Sequence, residues 1–264
     1  MKVLLVNTLY PPDIIGGAER SVSILAHALS DSGLQVIVLT INMREKKLAM
    51  SLDDKIKVYR LPLKNIYNPF LQSPKYSASR ILWHAIDTYN PFMASDVRKI
   101  MEKEKPDLLH TNNISGFSVS TWKQAQEQRI PVIHSLRDHY LLCPRSTMYK
   151  DGNCEQICAE CRAFTMSRIK ASANINGVIG NSKYTLERHL KHKAFSNTPV
   201  QAVIGNAFQL MNKPKHNDNL ETRKTFRFGY FGRLEESKGI EFLLDSFTKI
   251  PGNIELLIGG KGEE

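Results

Sequence analysis

The chain has 264 residues, 42% of them hydrophobic and 23% charged, with a formal net charge of +10. That is enough apolar chain to bury one or two cores. Its longest apolar runs, such as Val3 to Val6 and Val36 to Leu39, fall far short of the roughly 20 residues that cross a bilayer. Met1 and Lys2 lead straight into a strand-like run with no basic and apolar leader before it, so no secretory signal and a cytoplasmic location are expected. The positive charge favours anionic partners. Lys and Arg are nevertheless spread along the chain, and the clusters Arg44 to Lys47 and Lys99 to Lys105 are interleaved with Glu. That spread argues against nucleic acid and leaves solvated faces or weak attraction to an anionic membrane surface.

Residues 2–7, KVLLVN, form a continuous apolar run suited to a strand covered on both faces, as in a parallel sheet. A loop containing Pro11 and Pro12 follows. From Ala18 onward, Val22, Leu25, Ala26 and Leu29 recur on one face of a predicted helix, which Gly33 stops. Residues 35–41, QVIVLTI, supply a second strand and complete a strand-helix-strand unit. Further strand-like runs at 57–61, 107–111, 132–136, 177–180 and 200–204 alternate with stretches long enough for helices, one or two of them within 80–104. This alternation predicts an α/β domain with a doubly wound sheet over residues 1–206.

Residues 207–224 are rich in Asn, Lys, His and Pro and read as a linker. The α/β pattern then restarts with a strand at 226–231, a turn at Gly232, an amphipathic helix through Ile240, Leu243, Leu244 and Phe247, and a strand at 254–258. Residues 225–264 thus look like the beginning of a second Rossmann-like domain, too short for a whole one.

Three constellations bear on chemistry. Gly16 and Gly17 lie between the first strand and its helix, where free backbone N–H groups and the helix dipole favour a phosphate; the alternative is a plain turn. The pair does not follow GxGxxG, and the second strand ends in Thr40 and Asn42 without a ribose-binding acid, which disfavours a dinucleotide. Cys143, Cys154, Cys158 and Cys161 are the four cysteines of the chain. Clustered in this way they suggest a structural zinc or another soft metal, with four free thiols as the alternative in a reducing compartment. His110 and His134 in strands, and Trp83 and Trp122 on helix faces, read as core. No Ser, His, Asp triad follows from their order.

Four stretches, in this order, carry a resemblance: PPDIIGGAER (11–20), PDLLHTNN (106–113), IPVIHSLRDHYLLCPR (130–145) and FGYFGRLEESKGIEFLLDSF (228–247). Together they resemble the family 4 retaining glycosyltransferases of GT-B fold. The resemblance implies transfer of a sugar from a nucleotide diphosphate donor to a glycan or lipid-linked acceptor, with retention and without a catalytic cofactor. It also implies a setting in cell-surface polysaccharide or glycolipid synthesis at the inner membrane face. On that reading Gly16, Gly17 and Gly232 approach the donor, while Arg233 and Lys238 hold its diphosphate and stabilise the charge of the leaving group. Asp138 joins them as a catalytic candidate, and Glu19, Arg20, Arg137 and His139 belong to the acceptor side.

Three departures accompany the match. Where the family usually has His followed by Asp, this chain has Arg137, Asp138 and then His139. The usual Asn-Gly at the interdomain edge reads Asn206 and Ala207. The later donor-domain motif with two glutamates eight positions apart has no counterpart before Glu264. The expectation is a transferase truncated within its donor domain, with a separate polypeptide as a candidate partner; the alternative is a non-catalytic binding fragment or half of a split enzyme.

Overall fold

A computed structural model of the chain describes residues 1–71, 76–208 and 225–262. The chain divides into two units, one of Met1–Met148 with Cys154–Gln209 and one of Tyr149–Asn153 with Leu210–Glu264. Most of the linker expected at 207–224 lies outside the described residues.

The first unit is built on a sheet of eight strands: β1 (Lys2–Val6), β2 (Gln35–Asn42), β3 (Ala49–Asp53), β4 (Ile56–Pro62), β5 (Leu108–Thr111), β6 (Val132–Leu136), β7 (Gly177–Gly180) and β8 (Val200–Val203). Their spatial order is β3-β4-β2-β1-β5-β6-β7-β8. All neighbours run parallel except β3, which pairs antiparallel with β4. β1 sits at the centre, with Val3 opposite Val36 of β2 on one side and Leu108 of β5 on the other.

The unbroken apolar runs of these strands follow from burial on both faces. Along β1, Val3 and Leu5 enter one core with Val36 and Val38, against Val22 and Ala26 of α1 (Gly17–Asp31). The intervening Leu4 and Val6 enter the other core with Ile37 and Leu39. That core is closed by Met93, Val97 and Ile100 of α3 (Pro91–Glu104) and Trp122 of α4 (Ser120–Glu127). Successive side chains of a strand point to opposite faces, so a strand with helices on both sides needs apolar residues at every position.

Helix boundaries have local causes. The Asn90 side chain accepts from the N–H groups of Phe92 and Met93, both at 3.1 Å, and Pro91 occupies the first helical position of α3, where its missing N–H costs nothing. Gly33, at φ +86°, takes the left-handed turn that ends α1. The remaining helices are α2 (Ser77–Thr88), α5 (Ala159–Ser172) and α6 (Lys183–Lys191).

The second unit contains β9 (Phe226–Phe231), a single 3-10 turn at Glu236–Lys238, α7 (Ile240–Thr248) and β10 (Ile254–Gly259). β9 and β10 pair in parallel, with Phe226 opposite Ile254, the strand-helix-strand unit the sequence predicts. Among the described residues no helix is long and apolar enough to cross a membrane.

Candidate functional site

The strand order changes direction between β1 and β5, and ligands of open α/β sheets bind beyond the carboxyl ends of strands near such a point. The carboxyl end of β5 and the segments at and after the ends of β6, β7 and β8 line an open cavity of about 150 Å³. Its wall includes Leu25 of α1, His110 of β5, Ser135 of β6, Arg137, Asn181 and Asn206.

Arg137 follows β6 directly and is held in place by three neutral oxygens. Its Nε donates to Asn112 Oδ1 at 2.7 Å, and its Nη1 donates to Ser21 Oγ at 2.9 Å and to Asn206 Oδ1 at 2.6 Å. Burial lowers its pKa to about 10, which leaves it cationic at neutral pH. His110 Nε2 is hydrogen-bonded to Ser135 Oγ at 2.8 Å. Burial first, and the Arg137 charge second, bring His110 down to about 4. Asn181 contributes a buried Oδ1 with no hydrogen-bond partner.

Among the other residues singled out from sequence, Asp138 accepts the Tyr140 N–H at 2.9 Å, and burial raises its carboxyl to about 6. His139 is turned away from the cavity and stacks on His189, with ring centroids 5.4 Å apart. Burial, and after it Arg188, lowers its pKa to about 4. Glu19, expected on the acceptor side, is instead buried and accepts the Gly16 N–H at 2.8 Å. Its carboxylate completes the N-terminus of α1, a use that its position three residues after the cap favours. Arg20 is exposed on α1.

Neither Gly16 nor Gly17 is required by the fold. Gly16 has an extended backbone with φ −145°, and a Cβ on Gly17 would meet nothing within 4 Å. In the second unit, Gly232 and Lys238 are exposed, and Arg233 Nη1 pairs with Glu235 Oε1 at 2.7 Å. Sequence reasoning missed Ser21, Asn112 and Asn181. Asn112 and Asn181 each stand just past the carboxyl end of a strand of the parallel sheet, and that position is the signal that would have singled them out.

The model of Glycosyltransferase Family 4 matches residues 15–206, which takes in every residue of the cavity wall named above. The chain belongs to glycosyltransferase family 4. An uncharacterized 42.6 kDa protein of the cps region of Klebsiella pneumoniae is 34% identical over 253 residues, covering 95% of this chain and 65% of that protein. The chain therefore spans less than two thirds of the length of this relative. Among solved structures, the trehalose-6-phosphate synthase OtsA has a TM-score of 0.63 at 12% identity, over 100% of this chain and 66% of that one. The catalytic domain of starch synthase IV from Arabidopsis thaliana, bound to ADP and acarbose, has a TM-score of 0.55 at 12% identity, over 97% and 68%. The fold of the family 4 chain is that of the GT-B glycosyltransferases.

Behind the cavity wall of the family 4 chain lies a buried ionic network. Arg168 of α5 and Asp87 of α2 are 0% and 1% exposed, and Arg168 Nη2 lies 3.2 Å from Asp87 Oδ2. Arg168 Nη1 also donates to the Tyr140 carbonyl at 2.8 Å, its guanidinium lies 3.8 Å from the centre of the Tyr140 ring, and Tyr140 Oη donates to the Asp87 carbonyl at 2.7 Å. Gly116, in the loop after β5, donates its N–H to Asp87 Oδ1 at 2.6 Å. Burial pushes the Asp87 carboxyl upward while Arg168 draws it back. The network ties α2 and α5 to the loops after β5 and β6, and so fixes the segment that carries Arg137 and Asp138.

The four cysteines lie beside this segment. Cys143, Cys154 and Cys161 pack with Leu142 and Met148 in a small cluster, whereas Cys158 is exposed at the N-cap of α5. Burial, followed by the neighbouring thiols of Cys158 and Cys143, raises Cys161 to about 12. Among the described residues no group of three His, Cys, Asp or Glu side chains is arranged to hold a metal ion, while the thiol of Cys161 lies within contact of those of Cys143 and Cys158.

Proposed function

We propose that this family 4 chain serves a retaining glycosyltransferase that moves a sugar from a nucleoside diphosphate donor to a glycan or lipid-linked acceptor in cell-surface polysaccharide or glycolipid synthesis. The observation that carries the reading is the family match over residues 15–206, joined to a cavity at the carboxyl edge of the sheet. The ADP on the starch synthase domain is the kind of leaving group this reading expects. Residues 1–206 form the acceptor-side domain, 207–224 the linker, and 225–264 the start of the donor domain.

In the chemistry proposed, the α1 N-terminus at Gly16 and Gly17 offers backbone N–H groups to the donor, where the helix dipole favours negative charge. The absence of a Cβ there lets a ligand approach the main chain closely. Gly232, Arg233 and Lys238 are assigned to the diphosphate. Fixed cations stabilise the charge that develops as it departs more than they stabilise the ground state. Asp138, lifted toward neutrality by burial, is the proposed proton-handling group. The enzyme would work on the cytoplasmic face of a membrane, toward which the net charge of +10 gives it an attraction.

Titration of the protein with UDP, GDP and ADP, followed by measurement of nucleoside diphosphate release from the matching sugar nucleotides, tests the proposal. One nucleotide is expected to bind, and the double variant Arg233→Ala with Lys238→Ala to weaken it at least tenfold. Binding of none of the three would remove the transferase reading.

A further inference from the structure

The guanidinium of Arg137 has no counter-ion. All three of its hydrogen bonds go to neutral oxygens, and no carboxylate among the described residues forms an ion pair with it. Its Nε–H and both Nη1 hydrogens are engaged, while Nη2 makes no hydrogen bond among the described residues, so its two N–H groups remain available. The adjacent Asp138 does not supply the missing charge, because it is turned to the Tyr140 N–H and lies in the field of Arg168. His110 is kept neutral by burial and by Arg137 itself. The rest of the cavity wall is apolar or uncharged.

A partly buried cation facing neutral dipoles is costly unless an anion completes it. The remaining N–H groups of Nη2 can donate charge-assisted hydrogen bonds to a carboxylate or a phosphate oxygen.

We propose that this cavity takes an acidic sugar, whose carboxylate or phosphate pairs with Arg137. The inference rests on the glycosyltransferase reading and narrows its substrate class. The anion comes either from a uronic acid on the donor or from an acidic sugar on the acceptor.

Calorimetric titration separates these sources. The donor arm compares UDP-glucose with UDP-glucuronate and GDP-mannose with GDP-mannuronate, with UDP and GDP alone as references. The acceptor arm compares glucose with glucuronate and with glucose 1-phosphate. The acidic member of at least one set is expected to bind at least tenfold tighter than its neutral counterpart. Arg137→Gln should abolish that preference while leaving UDP or GDP binding within about twofold. Arg137→Lys, which keeps the charge, should retain part of it, and serves alone if circular dichroism shows the Gln variant unfolded. If the nucleotides bind but no acidic sugar is preferred, or if the preference survives Arg137→Gln, this inference is overturned and the transferase reading stands. If neither nucleotide nor sugar binds, both fall together.

Discussion

Arg137 lies in the loop after β6 and Arg168 bonds to the same loop at Tyr140, and the two are handled in opposite ways. Arg168 is fully buried and neutralised by Asp87, with its remaining contacts spent on Tyr140. Arg137 is partly buried, anchored by neutral oxygens and left without an acid. A protein that needs a cation only to fasten a loop gives it a carboxylate, and this chain does so at Arg168. The neutral seating of Arg137 is what a binding group requires, because an internal partner would compete with the ligand.

The comparison breaks most visibly on stability. Arg168→Met strands Asp87 as a buried charge, and removal of one member of a buried pair costs about 3–5 kcal/mol. Arg137→Gln loses hydrogen bonds but also relieves an uncompensated charge, so its net effect should stay under about 1 kcal/mol. Urea denaturation of both variants is the measurement. Equal losses at the two sites would end the distinction between a fastening arginine and a binding one.

A second contrast lies in protons. His110, His134 and His189 are 8%, 5% and 0% exposed, and burial is the leading cause that brings them to about 4, 3 and 4. Their folded pKa values lie below the unfolded value near 6.5. As pH falls from 6.5 toward 4 the unfolded chain takes up protons that the folded chain refuses, and stability drops. Asp87 and Asp138 act in the opposite sense, since burial raises them to about 7 and 6 and the folded state binds the extra protons there. His84 and His139 are also brought to about 4, chiefly by burial, so five histidines oppose two aspartates and stability should decline as pH falls across that window. Denaturation midpoints at pH 6.5, 5.5 and 4.5 check the sign. A rise toward acid would mean that the carboxyls of the Arg168 network dominate.

The sheet was legible in the sequence because both its faces are covered. β1 is apolar from Val3 to Val6 and β2 from Val36 to Leu39, and the expected spans 132–136 and 177–180 coincide with Val132–Leu136 and Gly177–Gly180. The edge strand β3 escaped because Met50 and Leu52 are both exposed at 58% and 70%, so no buried face imposes a pattern on AMSLD. The site was legible only where it carried charge or glycine. Arg137 was visible as a departure from a motif, but its partners Ser21, Asn112 and Asn206 come from three separate loops or helices. Only the strand order brings these together, and it is not written in any local period. The surroundings of Glu19 and His139 were not legible for a related reason: a polar residue next to a motif can face a helix end or a core as readily as a ligand.

A finer version of the same contrast concerns the glycines at the start of α1. Gly33 and Gly116 are demanded by the fold, at φ +86° and +88°, while Gly17 has room for a Cβ and no unusual backbone demand. Gly17→Ala should therefore leave stability unchanged or raise it by about 0.4–1 kcal/mol, through the reduced freedom of the unfolded chain. Nucleotide affinity should fall about tenfold if a ligand approaches that backbone. Loss of stability would instead make Gly17 a structural residue and take the α1 N-terminus out of the proposed site.

The cysteines offer the smallest effect and a distinction of the same kind, between a group held for packing and one left open to solvent. Only thiolates react quickly with alkylating reagents. Cys161 is raised to about 12 and Cys143 is buried, so both should label slowly at pH 8, after Cys158, which is exposed at a helix N-terminus where the dipole favours a thiolate. Mass spectrometry of a labelling time course gives the order directly. Uniform protection of all four thiols, accompanied by near-stoichiometric zinc in the purified protein, would show that the four cysteines close around a metal after all. It would also give the loop bearing Arg137 a second anchor besides Arg168.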